Sequence, residues 1–221
     1  MNLEMADRIT GGASRPSKMP GLSWNIPATL CNVGSKLRNI AGSTCSGCYA
    51  MKGRYMFPNV QNAMHKRLGL YNMAHERGTI TRWYEAMAYY ANSRRSKGFF
   101  RFFDSGDLQS VQMMHDLCIV ANMAPNTKFW LPTREYGIVR DFKASGYVIP
   151  DNMVVRLSSP MVDAFTYPRI TGWNITYSAV HSKGAPVSGA FVCPAYTQEG
   201  KCGECRVCWN TKSLLVSYPK H

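Results

Sequence analysis

The sequence predicts an α/β fold, arranged as an incomplete (partial) βα barrel with a cysteine-rich C-terminal loop. Three observations predict it. Short runs of β-branched and aromatic residues alternate with longer stretches of helical period, the pattern of a parallel sheet assembled from βα units. Five or six such strands stand out, too few for a full eight-unit barrel. No internal repeat or linker divides the 221 residues, which suffice for one large domain with a core. A doubly wound open sheet is the alternative. Residues 1–20 read as a flexible arm, 21–190 as the partial barrel, and 191–221 as a cysteine-rich extension of the same domain.

Residues 1–20 are polar and rich in Gly, Ser and Pro. Gly21 to Pro27 is short and apolar, a first strand. Cys31 follows, then thirteen residues, then Cys45-Ser-Gly-Cys48-Tyr49-Ala50, a loop kept irregular by Gly34, Gly42 and Gly47. Asn59 to His75 has a helical pattern with Asn59 as its cap, and Thr79 to Arg94 repeats it with Thr79. Phe99 to Phe103 is a strand by its aromatic density and ends in Asp104-Ser105-Gly106-Asp107. Ser110 to Met123 reads as a helix, Lys128 to Thr133 as a strand, and Tyr136 to Ala144 as a short helix. Asn152 to Ser158, Trp173 to Ala179 and Ser213 to Tyr218 complete the strands.

The chemistry-bearing residues collect at the carboxyl ends of these strands, where α/β folds gather ligands. Cys193, Cys202, Cys205 and Cys208 carry the densest signal. Overlapping C-x2-C-x2-C spacing is that of a 4Fe-4S cluster. Zinc is the alternative metal, although zinc ribbons use two separated pairs; disulfides or free thiols are the remaining reading. Cys31, Cys45 and Cys48 supply three thiolates. On a cubane these leave one iron open, unless Cys118, a histidine or the C-terminal group supplies a fourth ligand. The chain thus holds one or two clusters. Cys118 falls on the inward face of a helix and reads as core. Asp104 and Asp107 suit a substrate amine or hydroxyl, or a helix cap. Arg156 and Ser158 share a strand face and suit a ligand carboxylate or an internal ion pair. His65, His75 and His115 read as solvent-facing and His181 as a loop residue. His221, after an apolar strand, is a minor ligand candidate.

The net charge is +13. Lys36 to Arg101 holds twelve basic residues against Glu76 and Glu85. This is either a solvated basic face or the footprint of a polyanion, nucleic acid first. Tyr49, Tyr55 and Phe57 lie among Lys52 and Arg54, which suits base stacking or packing of the cysteine loop. No apolar run is long enough to span a membrane. Eight cysteines without a secretory signal point to a reducing compartment, the cytoplasm.

With these residues in hand, Cys45-Ser-Gly-Cys48-Tyr49-Ala50 after a first strand resembles the cluster loop of radical S-adenosylmethionine proteins. It also resembles a group of bacteriophage proteins of unassigned role with a CYA cysteine loop and a C-terminal CxxCxxCW tail, here Cys202 to Trp209. The resemblance implies a radical-SAM-like fold. It implies Cys31, Cys45 and Cys48 on a cubane with an open iron. It sets Ser105, Gly106 and Asp107 at the superfamily's Gly-Gly-Glu motif, facing the amine of S-adenosylmethionine, with Arg156 or Ser158 near its carboxylate. Cys193, Cys202, Cys205 and Cys208 would hold an auxiliary cluster. The superfamily's usual loop is C-x3-C-x2-C; the first gap here is thirteen residues.

Overall fold

The computed structural model describes residues 1–165, 168–182, 184 and 186–220. Every predicted strand forms: β1 (Leu22–Trp24), β2 (Phe99–Phe102), β3 (Lys128–Thr133), β4 (Met153–Val162), β5 (Ile175–His181) and β7 (Leu215–Pro219). A two-residue β6 (Phe191–Val192), too short to show in the sequence pattern, pairs with β7. The seven strands form one parallel sheet in the order β1-β2-β3-β4-β5-β7-β6. From β1 to β5 the order advances without reversal. A barrel winds in such a run, but at the far end the order turns back, with β7 lying between β5 and β6. Among the described residues β1 and β6 remain as edges, so the sheet is open.

The helices are α1 (Leu3–Thr10), α2 (Asn32–Leu37), α3 (Pro58–Glu76), α4 (Ile80–Asn92), α5 (Val111–Asn122) and α6 (Tyr136–Ala144). Side chains alternate across a strand, so each strand offers one face to the core. Phe100, Phe102, Phe129, Leu131, Val155 and Leu157 join Trp83, Met87, Met114 and Leu117 of α4 and α5 in one core. Arg101, Trp130, Arg156 and Ser158 alternate with these residues and project from the opposite face. That face is closed by the C-terminal segment. Trp209 is buried there, its ring edge-on to Trp130 at 5.2 Å and its Nε1 donating to the Phe100 carbonyl at 3.0 Å.

Several expectations change. Residues 1–20 are not an arm: Leu3–Thr10 is helix α1, packed against α4. Asn2 caps it by accepting from the Met5 amide at 2.9 Å, Glu4 pairs with Arg8 one turn on, and Gly11 closes it at φ 77°. The Cys31–Cys48 loop is not wholly irregular, since α2 forms directly after Cys31. Helix α3 starts at Pro58 with Phe57, not Asn59, at the cap position. His75, expected in solvent, sits 2.7 Å from buried Asp116, which also accepts from the Tyr71 and Tyr84 hydroxyls at 2.6 Å each. His181 ends β5 and lies 2.6 Å from Ser217 Oγ. His221 lies outside the described residues. No described helix is long and apolar enough to cross a membrane.

Candidate metal centres and the cleft beside them

All eight cysteines are free thiols, and seven of them fall into two groups. The first is Cys31, Cys45 and Cys48. Cys31 follows a 3-10 turn after β1; Cys45 and Cys48 sit on a segment fastened to the end of β4. The Thr44 amide donates to the Pro160 carbonyl at 2.9 Å, and Ser43 bridges to Met161. Helix α2 turns the chain back across the thirteen-residue gap. A Cβ on its Gly34 would stand 3.6 Å from the Cys31 sulfur and 3.7 Å from that of Cys45, so both sulfurs flank one point. Burial, then Asp107, Cys48 and Cys45, pushes the Cys31 thiol up to about 12. Burial also raises Cys45, against the pull of Arg134.

The second group is Cys193, Cys202, Cys205 and Cys208, wound around β6 and the 3-10 turns that follow. Burial, then Cys208, Cys193 and Cys205, pushes the Cys202 thiol up to about 11. Burial raises Cys193 and Cys208 as well, with Arg156 and Arg101 opposing it at Cys208. The Cys208 sulfur lies 3.1 Å from the Tyr218 hydroxyl. Among the described residues no group of three or more His, Cys, Asp or Glu side chains is arranged to hold a metal ion. Tetrahedral zinc at about 2.3 Å per Zn–S bond needs its sulfurs about 3.8 Å apart. Thiols raised by burial keep their protons near neutrality, and a metal entering either group must displace them.

A cleft of about 300 Å³ opens over the carboxyl ends of the strands. Its walls include Cys31, Cys45 and Cys48, then Ser105, Gly106, Asp107 and Ser158, so it brings together eight of the sequence-predicted residues when Asp104 is added. Among the described residues no histidine lines it, and neither does Cys118. Cys118 is core on α5, its thiol pushed up to about 12 by burial and then by Asp116. Cys118→Ala is therefore expected to leave the metal content unchanged, and loss of metal would make it a ligand.

Asp104 and Asp107 are not caps of α5; Ser110 caps it, accepting from the Met113 amide at 3.0 Å. Asp104 organises the cleft wall. It accepts from Ser23 Oγ, from Asn25 Nδ2 at 2.9 Å and from the Tyr55 hydroxyl at 2.7 Å, while its carbonyl accepts from the Tyr49 hydroxyl at 2.6 Å. Both tyrosines thus fasten the cysteine loop to the end of β2. Asp107 accepts from Thr133 Oγ1 at 2.6 Å, the Arg134 amide at 2.9 Å and the Leu108 amide at 2.8 Å. Three of its roughly four acceptor sites are filled, leaving one for a ligand. Burial, partly offset by these bonds, pushes its carboxyl up to about 6.

Gly106 turns the chain between them at φ 81°, with its α-carbon against β1: a Cβ would lie 2.3 Å from Ile26 Cγ1 and 2.7 Å from the Ile26 carbonyl oxygen. Left-handed strain plus overpacking makes Gly106→Ala cost roughly 3 kcal/mol, measured by urea denaturation.

Arg156 is a correction. It is fully buried and faces the C-terminal loop, not a ligand. It donates to the carbonyls of Tyr177 at 2.9 Å, Val207 at 3.3 Å, Asn210 at 3.4 Å and Ser213 at 3.5 Å, and so clamps the Cys208 turn to β5. Ser158, two residues on, does line the cleft, its Oγ 3.1 Å from Ser178 Oγ. The basic segment is not one face. Arg67 is buried, donating to the Gly12 carbonyl at 3.0 Å and to Asn25. Arg94, Arg95 and Lys97 precede β2 and stand at the amino end of the sheet, away from the cleft.

Sequence reasoning missed Trp130, Tyr218 and Lys220 and read Arg38 and Arg101 only as part of the basic segment; all five line the cleft. The Arg101 guanidinium stacks on Trp130, 4.3 Å from the ring centroid. Both residues alternate with core aromatics in their strands, which was the available signal. Buried donors there lack partners: Nε of Arg38, Arg101 and Arg134, Nε1 of Trp130 and Oγ of Ser105.

A family model described as Gene product 88 matches residues 3–211. No curated protein and no solved structure matches the chain.

Proposed function

The chain belongs to the gene product 88 family, a bacteriophage family, and from that premise we propose that it is an iron–sulfur protein of radical-SAM-like architecture that binds S-adenosylmethionine in its cleft. One observation carries the reading. Three cysteines edge a cleft at the carboxyl ends of a parallel sheet whose first five strands advance in order.

In this reading Cys31, Cys45 and Cys48 hold a 4Fe-4S cluster that keeps one iron open, and Cys193, Cys202, Cys205 and Cys208 hold a second whose ligands are complete. A reduced cluster of the first kind, when bound, supplies one electron for cleaving a sulfonium. The chain's own groups do the rest. Ser105 Oγ, unpartnered and buried, and the remaining acceptor site of Asp107 receive the ligand's amine. Ser158 and Arg134 receive its carboxylate, taking the part that Arg156 cannot. The cleft's size is at the lower end of small-molecule sites, so a bound ligand would displace most of its water.

The test is spectroscopic. The anaerobically reduced, cluster-loaded chain is titrated with S-adenosylmethionine. A changed electron paramagnetic resonance spectrum for the first cluster only, with methionine released, is the expected result. An unchanged spectrum and intact S-adenosylmethionine would contradict the proposal.

A further inference from the structure

We infer that the cleft receives its substrate from a single-stranded nucleic acid lying across its rim, which rests on the reading of that cleft as the reactive site and adds the substrate class to it. The first observation is the set of unpartnered buried groups. Arg38, Arg101, Arg134 and Trp130 line one cleft, and the Nε of each guanidinium and the Trp130 indole N–H are buried donors without a partner. They call for a ligand rich in acceptors and negative charge. The acids that line the cleft, Asp104 and Asp107, are engaged by the chain's own donors and leave the cations in excess.

The second observation is the rim. Residues 28–57 contain Lys36, Arg38, Lys52 and Arg54 and not one acidic residue. Lys36, Lys52 and Arg54 are exposed. Among them stand large apolar groups open to solvent: Phe57 is 54% exposed, Tyr49 45%, and Ile40 and Met56 47% each. The Tyr49 and Tyr55 hydroxyls hold this segment on Asp104, and Tyr49 itself lines the cleft. Cations that follow a phosphate backbone, interleaved with aromatic faces on which bases stack, make a surface for single strands. An acidic peptide would use the cations but not the rings. A duplex would bury its bases away from both.

Binding is measured by fluorescence polarisation of a labelled twelve-nucleotide single strand against the full chain, over a range of salt. The expected result is saturable binding with a log–log salt slope of about −2, the release from roughly three phosphates at ~0.7 each. In the surface double variant Lys52→Ala/Arg54→Ala the slope should fall to about −0.7. Phe57→Ala, also at the surface, should weaken binding at least about fivefold with the slope unchanged. Equal competition by polyglutamate, by a duplex of the same length or by a free nucleotide would overturn the inference, as would a strand affinity untouched by these variants. Iron and sulfide are assayed on the same samples. A chain that binds the strand but holds no iron retires the cluster reading alone; a chain with iron and no strand affinity retires this one alone.

Discussion

Replacing Arg156 by methionine will destabilise the chain by roughly 4 kcal/mol and loosen the C-terminal metal centre. Each hydrogen bond from a charged donor contributes about 1.5–3 kcal/mol, and each buried acceptor left unpaired costs about 1–3 kcal/mol. Arg156 serves four carbonyls, two of them, Val207 and Asn210, flanking Cys208 and Trp209. Methionine fills much of the space and offers no donor. At about 2–4 °C per kcal/mol for a chain of this length, the metal-free protein should melt roughly 12 °C lower. The loaded protein should lose metal from the C-terminal group first, since the turn bearing Cys208 is no longer clamped to β5. A melting point within a degree or two of the parent would show that these contacts are not what holds the segment.

The second large effect separates the two centres. A Cys45→Ala/Cys48→Ala chain should keep about four irons where the parent holds about eight, at four per cluster. A Cys202→Ala/Cys205→Ala chain should keep the other four. No C-terminal cysteine lines the cleft beside Cys31, Cys45 and Cys48, although Tyr218, 3.1 Å from the Cys208 sulfur, does. Only the first pair of substitutions should abolish the response to S-adenosylmethionine. If either double variant lost all its metal, the seven cysteines would serve one shared site.

Strands were legible where alternation was strong. Phe100 and Phe102 against Arg101, and Val155 and Leu157 against Arg156, give both the strand and the face each residue takes. The parallel sheet and the gathering of Cys31, Cys45, Cys48, Ser105, Asp107 and Ser158 at one end follow from those assignments and from the rule on carboxyl ends. Helix α1 was equally legible, through Asn2, the Glu4–Arg8 pair and Gly11, but was masked by the Gly/Ser/Pro-rich residues after it. Helix α2 contains Gly34, a poor helix former, and only the packing of Cys31 against Cys45 shows why glycine stands there. Arg156 could not be read at all: a buried arginine looks like a ligand for an anion until its partners, about fifty residues downstream, fold over it. Arg101 and Trp130 were hidden for the same reason. Their cleft exists only once the cysteine loop from β1 crosses to the end of β4.

The most direct test is the metal content of the chain purified without oxygen. A brown protein with about eight irons and an equal amount of sulfide per chain, and no stoichiometric zinc, is the expected result. A colourless protein carrying one or two zinc ions and no sulfide would contradict it, leaving the cysteines as staples of a basic α/β protein.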